Sequence, residues 1–164
     1  MKVRGAGGQI ALMLLLGSFA SACSQSSPAT VALKSASVDS TYACPAGVDN
    51  APYPIHATIE LRNGTSSTVT IKSVAAAMTL AAVKGSWLER VGDKYEASGV
   101  TFTPSTVSAA TSASLNVTIP SACTNGKTPS PTANYGEYSV SMMVTASSGT
   151  YTIESKNRHR IVVA

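Results

Sequence analysis

Between residues 55 and 62 the chain alternates without a break. Ile55, Ala57, Ile59 and Leu61 are apolar, and His56, Thr58, Glu60 and Arg62 are polar. A repeat of two puts the first set on one face of an extended strand and the second on the other. Asn63-Gly64-Thr65-Ser66 follows, and Asn-Gly tolerates the positive φ of a tight turn. Val69 and Ile71 then resume the apolar face against Thr68, Thr70 and Lys72. Past Ile71 the parity slips by one, because Val74, Ala76, Met78 and Leu80 carry the apolar side. A bulge or a strand break near Ser73 accounts for the slip.

The same signature returns downstream. Val100 and Phe102 mark a short strand before Pro104, and Leu115, Val117 and Ile119 alternate with Asn116 and Thr118. Pro120 is expected to stop that run. Tyr138, Val140, Met142 and Val144 form a third apolar row, and Ser147-Ser148-Gly149 turns the chain into Tyr151 and Ile153. Val31-Ala32-Leu33 opens the series, and residues 161–163 close it. Seven or eight short strands between turn signals predict an all-β antiparallel sandwich, with a small β-barrel as the alternative. Charged residues make up 12%, about half the usual share of roughly 25%. Ser, Thr, Ala and Val take their place, which suits pleated surfaces better than long helices. Two stretches lack the alternation, residues 81–112 and 124–135. Connections of that length are often functional.

The first 22 residues read as an address. Lys2 and Arg4 precede an apolar run over residues 10–19, and Ala20-Ser21-Ala22 supplies small residues. That is signal-peptide anatomy, and the run is too short to span a bilayer, which takes about 20 residues. Ala20-Ser21-Ala22-Cys23 resembles the bacterial lipobox, with Ala20 standing where Leu is commoner. The resemblance implies a diacylglyceryl thioether on Cys23, usually with an N-acyl chain, and so a protein anchored on the extracytoplasmic side of a bacterial membrane. The same small residues also fit ordinary signal peptidase cleavage, which would release a soluble protein. The organisation expected is a signal peptide over residues 1–22, a lipidated Cys23 with a short tether over 23–29, and one domain over 30–164. Within the tether, Ser24-Gln25-Ser26-Ser27-Pro28 reaches ~15–20 Å at about 3.3–3.6 Å per residue, so the domain is expected to sit close to the bilayer.

Cys44 and Cys123 remain. An even pair in an oxidising compartment reads as a disulfide. Closing so long a loop lowers unfolded-state entropy by an equivalent of up to ~4.5 kcal/mol. Neither Cys belongs to a C-x-x-C motif or has a His nearby in sequence, so a redox or metal pair is the weaker reading.

Asn134-Tyr135-Gly136-Glu137-Tyr138 resembles the tyrosine corner of the immunoglobulin-like superfamily. Residues 57–71 similarly resemble the second and third strands of immunoglobulin-like and fibronectin-like modules. The resemblance implies an immunoglobulin-like sandwich of about seven strands. It also implies that Cys44 and Cys123 lie in loops at the same end.

The sequence offers little for catalysis. It contains no G-x-S-x-G and no Ser three residues before a Lys. Glu60, Glu89, Asp93, Glu96 and Glu137 show no distinctive spacing and read as solvated acids. Copper could gather His56, His159, Met78, Met142 and Met143, but Met78 and Met142 fall on core faces. No cofactor and no metal site is expected. Without Lys2 and Arg4 the chain has ten basic and eight acidic residues. The one basic cluster, Arg158-His159-Arg160, is too small for a nucleic-acid footprint and reads as a solvated bend. Asn63-Gly64-Thr65 and Asn116-Val117-Thr118 match glycosylation sequons but more simply reflect abundant Ser and Thr. Trp87, Arg90 and Tyr95, in the long stretch, are the residues expected to touch an envelope protein or a glycan. The expected role is a membrane-anchored binding or assembly module that is not an enzyme. Metal handling is the alternative, and hydrolysis a third reading.

Overall fold

The structure, a computed structural model, describes residues 30–45, 47–124 and 134–163. The signal segment, Cys23 and the tether lie outside the described residues, as do residues 125–133 of the second irregular stretch. Eleven strands form, and no helix is found among the described residues. They are β1 (Val31–Val38), β2 (Thr41–Cys44), β3 (Ala51–Asn63), β4 (Val69–Lys84), β5 (Lys94–Ala97), β6 (Thr101–Thr103), β7 (Thr106–Val107), β8 (Ser112–Cys123), β9 (Asn134–Ala146), β10 (Gly149–Glu154) and β11 (His159–Val163).

Two open sheets face each other. One has the order β1-β3-β8-β6, and the other β2-β11-β9-β4-β5, with β10 also pairing with β9 and β7 with β4. This is the immunoglobulin-like arrangement, with β2 and β5 as edge strands flanking β11-β9-β4. Neither sheet closes on itself, so the barrel alternative does not hold. The core is made by the alternating rows. Ile55, Ile59, Leu115 and Ile119 of the first sheet are fully buried, as are Val140, Met142 and Val144 of the second. Each such side chain contributes roughly 1.5–3 kcal/mol on burial.

The structure departs from the sequence reading in several places. Residues 81–112 are not one loop. β4 runs on to Lys84, and β5, β6 and β7 lie within the stretch. These pieces are two to four residues long, too short to display an alternating pattern. Pro120 does not end its strand: it sits inside β8 opposite Pro54. Pro54 shares the parity of His56, whose amide points away from β8 to Asp39. Past the paired end of β1 at Val38, no ladder bond is asked of Pro54, and proline is tolerated where its missing N–H faces away from a neighbour. The sandwich is not wholly antiparallel, because β2 pairs with β11 in parallel. Cys44 ends β2 and Cys123 ends β8, rather than lying in loops.

Finally, Arg158-His159-Arg160 is no solvated bend. His159 is 1% exposed in β11, and Arg158 and Arg160 both pair with Glu137. The slip near Ser73 is a bulge, since the β4–β9 register shifts between Ile71 and Ser73 within one continuous strand.

The ends of the sandwich differ. Val31 opens β1 opposite Asn63, whereas Ala51 opens β3 opposite Cys123. Thr30 and the disulfide therefore lie at opposite ends of β3, whose 13 residues span about 40 Å at ~3.4 Å each. Around Thr30, the Asn63 turn is fixed from inside. Asn63 is fully buried, and its amide donates to the carbonyls of Ser67, Val107 and Ser108 while its Oδ1 accepts the Thr65 amide at 2.9 Å. A side chain so committed is no glycan acceptor, whatever its sequon.

Candidate functional site

The disulfide end is held by three devices. Cys44 and Cys123 form a disulfide with Cα atoms 5.9 Å apart, tying an edge strand of one sheet to the end of the other. Beside it, Tyr42 stacks on Tyr53 at 3.6 Å between ring centres. Tyr53 and His159 are linked at 3.0 Å, and the other His159 nitrogen, Nδ1, lies 2.7 Å from the Asp39 carbonyl. A carbonyl only accepts, so Nδ1 carries the proton and Nε2 receives the Tyr53 hydroxyl. Burial holds the His159 pKa below its ordinary value, and burial raises that of Tyr53. The imidazole is thus a neutral structural link at pH 7.

The third device is Trp87. The chain leaves β4 at Gly85, whose φ is +76°, a conformation glycine adopts without strain. Trp87 then folds back over β9. Its Nε1 donates to Tyr138 Oη at 3.1 Å, and its ring lies so close to Gly136 that a Cβ there would be 2.6 Å from Cε2. Tyr138 therefore does not form a tyrosine corner. It sits inside β9, its hydroxyl receives Trp87, and burial pushes its pKa up to about 12.

Trp87 is half-buried and packs against Gly136 and Tyr138 of β9. Leu88 and Val91 carry the exposure instead, at 73% and 59%. Arg90 is exposed on the same loop and gives its backbone amide to Asp93 Oδ2 at 2.8 Å.

Below this loop lies a cleft of about 560 Å³. Its floor is core, formed by Met78, Tyr138 and Ile161. Tyr95 stands on one wall, paired with Met78 and so on the same inward face, and it is 45% exposed. Ser121 and Ala122 of β8 form the facing wall. Asn50, Glu89, Asp93, Lys94 and Thr124 make the rim. Glu89 accepts the Thr124 hydroxyl at 2.7 Å. Lys94 bonds Glu96 at 2.9 Å on the exposed surface.

Of the three contact residues expected from sequence, Tyr95 lines the cleft, Trp87 braces its loop, and Arg90 helps fix Asp93. Sequence reasoning did not bring Glu89 and Asp93 to one cleft. Their four-residue spacing lies in a loop, where spacing predicts no geometry. The copper set is not brought together. Met78 and Met142 are core residues, Met143 is exposed, and His56 is exposed and bonded to Asp39 at 3.0 Å. Among the described residues no group of three or more His, Cys, Asp or Glu converges.

No family model and no curated protein matches the chain. Three solved structures are similar to it. The major subunit AggA of the type I aggregative adherence fimbriae of Escherichia coli has 8% identity over 82% of this chain and 95% of its own, with a TM-score of 0.37. The seventh PapD-like domain of human CEP192 has 12% identity over 96% and 98%, with a TM-score of 0.35. The CooA pilin subunit from enterotoxigenic Escherichia coli has 14% identity over 80% and 99%, with a TM-score of 0.30. Likeness at this level carries no statement about what the chain binds or builds.

Proposed function

We propose that the chain is an envelope lipoprotein, anchored through acylated Cys23, whose domain is a non-enzymatic binding module presenting its cleft away from the bilayer. The observation that carries this reading is the separation of Thr30 from the disulfide and the cleft by the length of β3. A tether from Cys23 reaches Thr30 in seven steps, about 25 Å at most, and so delivers the opposite end to solvent. The loops around Thr30 support the reading: residues 63–68, 108–111 and 147–149 contain only Ser, Thr, Ala, Asn and Gly. The loops at the far end carry Asp49, Glu89, Arg90 and Asp93. Most of the exposed large apolar side chains follow the same polarity, with Val48, Val83, Leu88, Val91 and Tyr95 toward the cleft end and Met143 on the outer face of β9 as the exception. Apolar surface gathered at one place marks interaction sites more often than scattered residues do.

Intact mass of protein extracted from its own envelope tests the anchor. The expected species begins at Cys23 and carries diacylglyceryl and acyl mass. A soluble species starting at an unmodified Cys23 sinks it.

One observation favours a second reading. Glu89 and Asp93 border the same cleft, and paired carboxylates are the machinery of glycoside hydrolysis. Product analysis after prolonged incubation with oligosaccharides separates the two, since a binding module returns them intact.

A further inference from the structure

We propose that His159, Tyr53 and Ser121 form a relay, in which protonation of the buried imidazole turns Ser121 from a hydrogen-bond acceptor into a donor at the wall of the cleft. The three residues come from three strands and bridge the two sheets. His159 lies in β11, and Tyr53 and Ser121 face each other across β3 and β8. All three are at most 7% exposed, and of the three only Ser121 lines the cleft. The direction of each bond follows from the donors available. At neutral pH the Nδ1–H of His159 is committed to the Asp39 carbonyl, so Nε2 accepts the Tyr53 hydroxyl at 3.0 Å. The Tyr53 oxygen in turn accepts from Ser121, its other hydrogen-bond partner. With its proton directed inward, Ser121 offers only lone pairs to the cleft.

A proton added at Nε2 reverses the row. The Nδ1–H stays on the Asp39 carbonyl, and Nε2–H needs an acceptor. The Tyr53 oxygen is in place for it once the Tyr53 proton swings to Ser121. The Ser121 hydrogen is then displaced towards the cleft. The added proton remains on Nε2, two hydroxyls rotate, and no heavy atom has to move. Tyr53 stays protonated throughout, because burial raises its pKa. The neighbours leave this imidazole without a direct counterion. The Asp39 carboxylate, in the β1–β2 link, bonds His56 of β3 and acts on His159 only at longer range. The partner in β9 is Tyr138, whose hydroxyl receives Trp87, and β2 contributes Tyr42, stacked on Tyr53. Arg158 and Arg160 leave β11 on the opposite face and pair with Glu137 of β9. Burial, outweighing the pull of Asp39, therefore holds the His159 pKa below 6.5. Linkage runs both ways. A cleft occupant that accepts from Ser121 raises that pKa, and one that donates to Ser121 lowers it.

The relay gives the binding reading above a pH dependence, but it is tested without any ligand, so its failure leaves that reading standing. The full processed protein, with its disulfide verified, is titrated downward from pH 7.5 by heteronuclear NMR. The imidazole nitrogens are expected to show the Nδ1–H form at the start and to gain the Nε2 proton below pH 6.5. The side-chain carbon shift of Ser121 should follow with the same midpoint. Tyr53→Phe keeps the ring on Tyr42 but removes the hydroxyl, and there Ser121 should no longer follow His159. Ser121→Ala gives a second reading that does not depend on Tyr53→Phe folding. It leaves the reversed Tyr53 hydroxyl without an acceptor, so the His159 midpoint should fall further, by about one pH unit. The proposal is overturned if Ser121 does not follow His159, if it still does so in folded Tyr53→Phe, if the Ser121→Ala midpoint is unchanged, or if the fold is lost before His159 takes up a proton.

Discussion

A methyl group at position 136 would meet the Trp87 ring at 2.6 Å, and neither side can easily yield. Gly136 is backbone inside β9, and Trp87 is held by Tyr138. Gly136→Ala should therefore destabilise the fold by ~1–3 kcal/mol, the usual range for overpacking. Denaturant midpoints measure it, and the cost should shrink in a Trp87→Leu background, since the two residues touch. Acid acts on a different residue. The pKa of His159 is depressed in the folded state by burial, so below its ordinary 6.5 the unfolded chain binds a proton that the native state refuses. Stability should then fall as pH drops from about 6.5 towards the folded pKa, by up to ~1.4 kcal/mol per pH unit. Unfolding at pH 7.5 and 5.0 should show this drop in the parent and a smaller one in His159→Gln. An equal drop in both would mean that His159 is not its source. The carboxylates held low by cations, Glu137 beside Arg160 and Glu96 beside Lys94, act below their ordinary 4.5 and so outside this window.

Among the elements, β2 depends most on a covalent bond. It has four residues, pairs only with β11, and is fastened by Cys44 to the end of β8. Replacing both cysteines by serine should cost up to ~4.5 kcal/mol on chain-entropy grounds, and hydrogen exchange should rise first in residues 41–44. Uniform loosening would instead point to a purely unfolded-state effect. The long elements were legible because burial is periodic in them. The rows of β3, β4, β8 and β9 were all readable, including the Ser73 slip. The short ones were not, because β5, β6 and β7 owe their existence to a neighbour's open ladder rather than to their own sequence. His159 escaped for a related reason. Its charged neighbours suggested solvent, yet period two alone puts it on the face opposite Arg158 and Arg160. At the cleft, Tyr95 and the Trp87 loop could be singled out as aromatic residues in a long connection. The shared place of Glu89 and Asp93 on one cleft and the Trp87–Gly136 contact could not, because both arise only through the closure of the fold.

The whole molecule is polar along its strands. The described domain begins at an end built of small uncharged loops, and about 40 Å away lie the disulfide, the Trp87–Tyr138 contact and the cleft. If acylated Cys23 holds the first end to a membrane, the two ends differ in what can reach them. The protein can report this itself, because Cys44 and Cys123 are locked in a disulfide and Cys23 would be capped by lipid. A single new thiol at Thr65 or at Leu88 is then the reactive one. In vesicles carrying the lipidated protein on their outer surface, a polymer-linked maleimide should label Leu88→Cys at the rate seen in detergent. Thr65→Cys should label several-fold more slowly, and only with the bulky reagent, since a small maleimide still enters the gap left by a tether of about 25 Å. Equal labelling of both sites by the bulky reagent would mean that the domain swings freely, and the cleft would then have no fixed outward direction. Protection of Leu88→Cys instead would put the cleft against the bilayer and make lipid headgroups, rather than glycans in the envelope, the surface it meets.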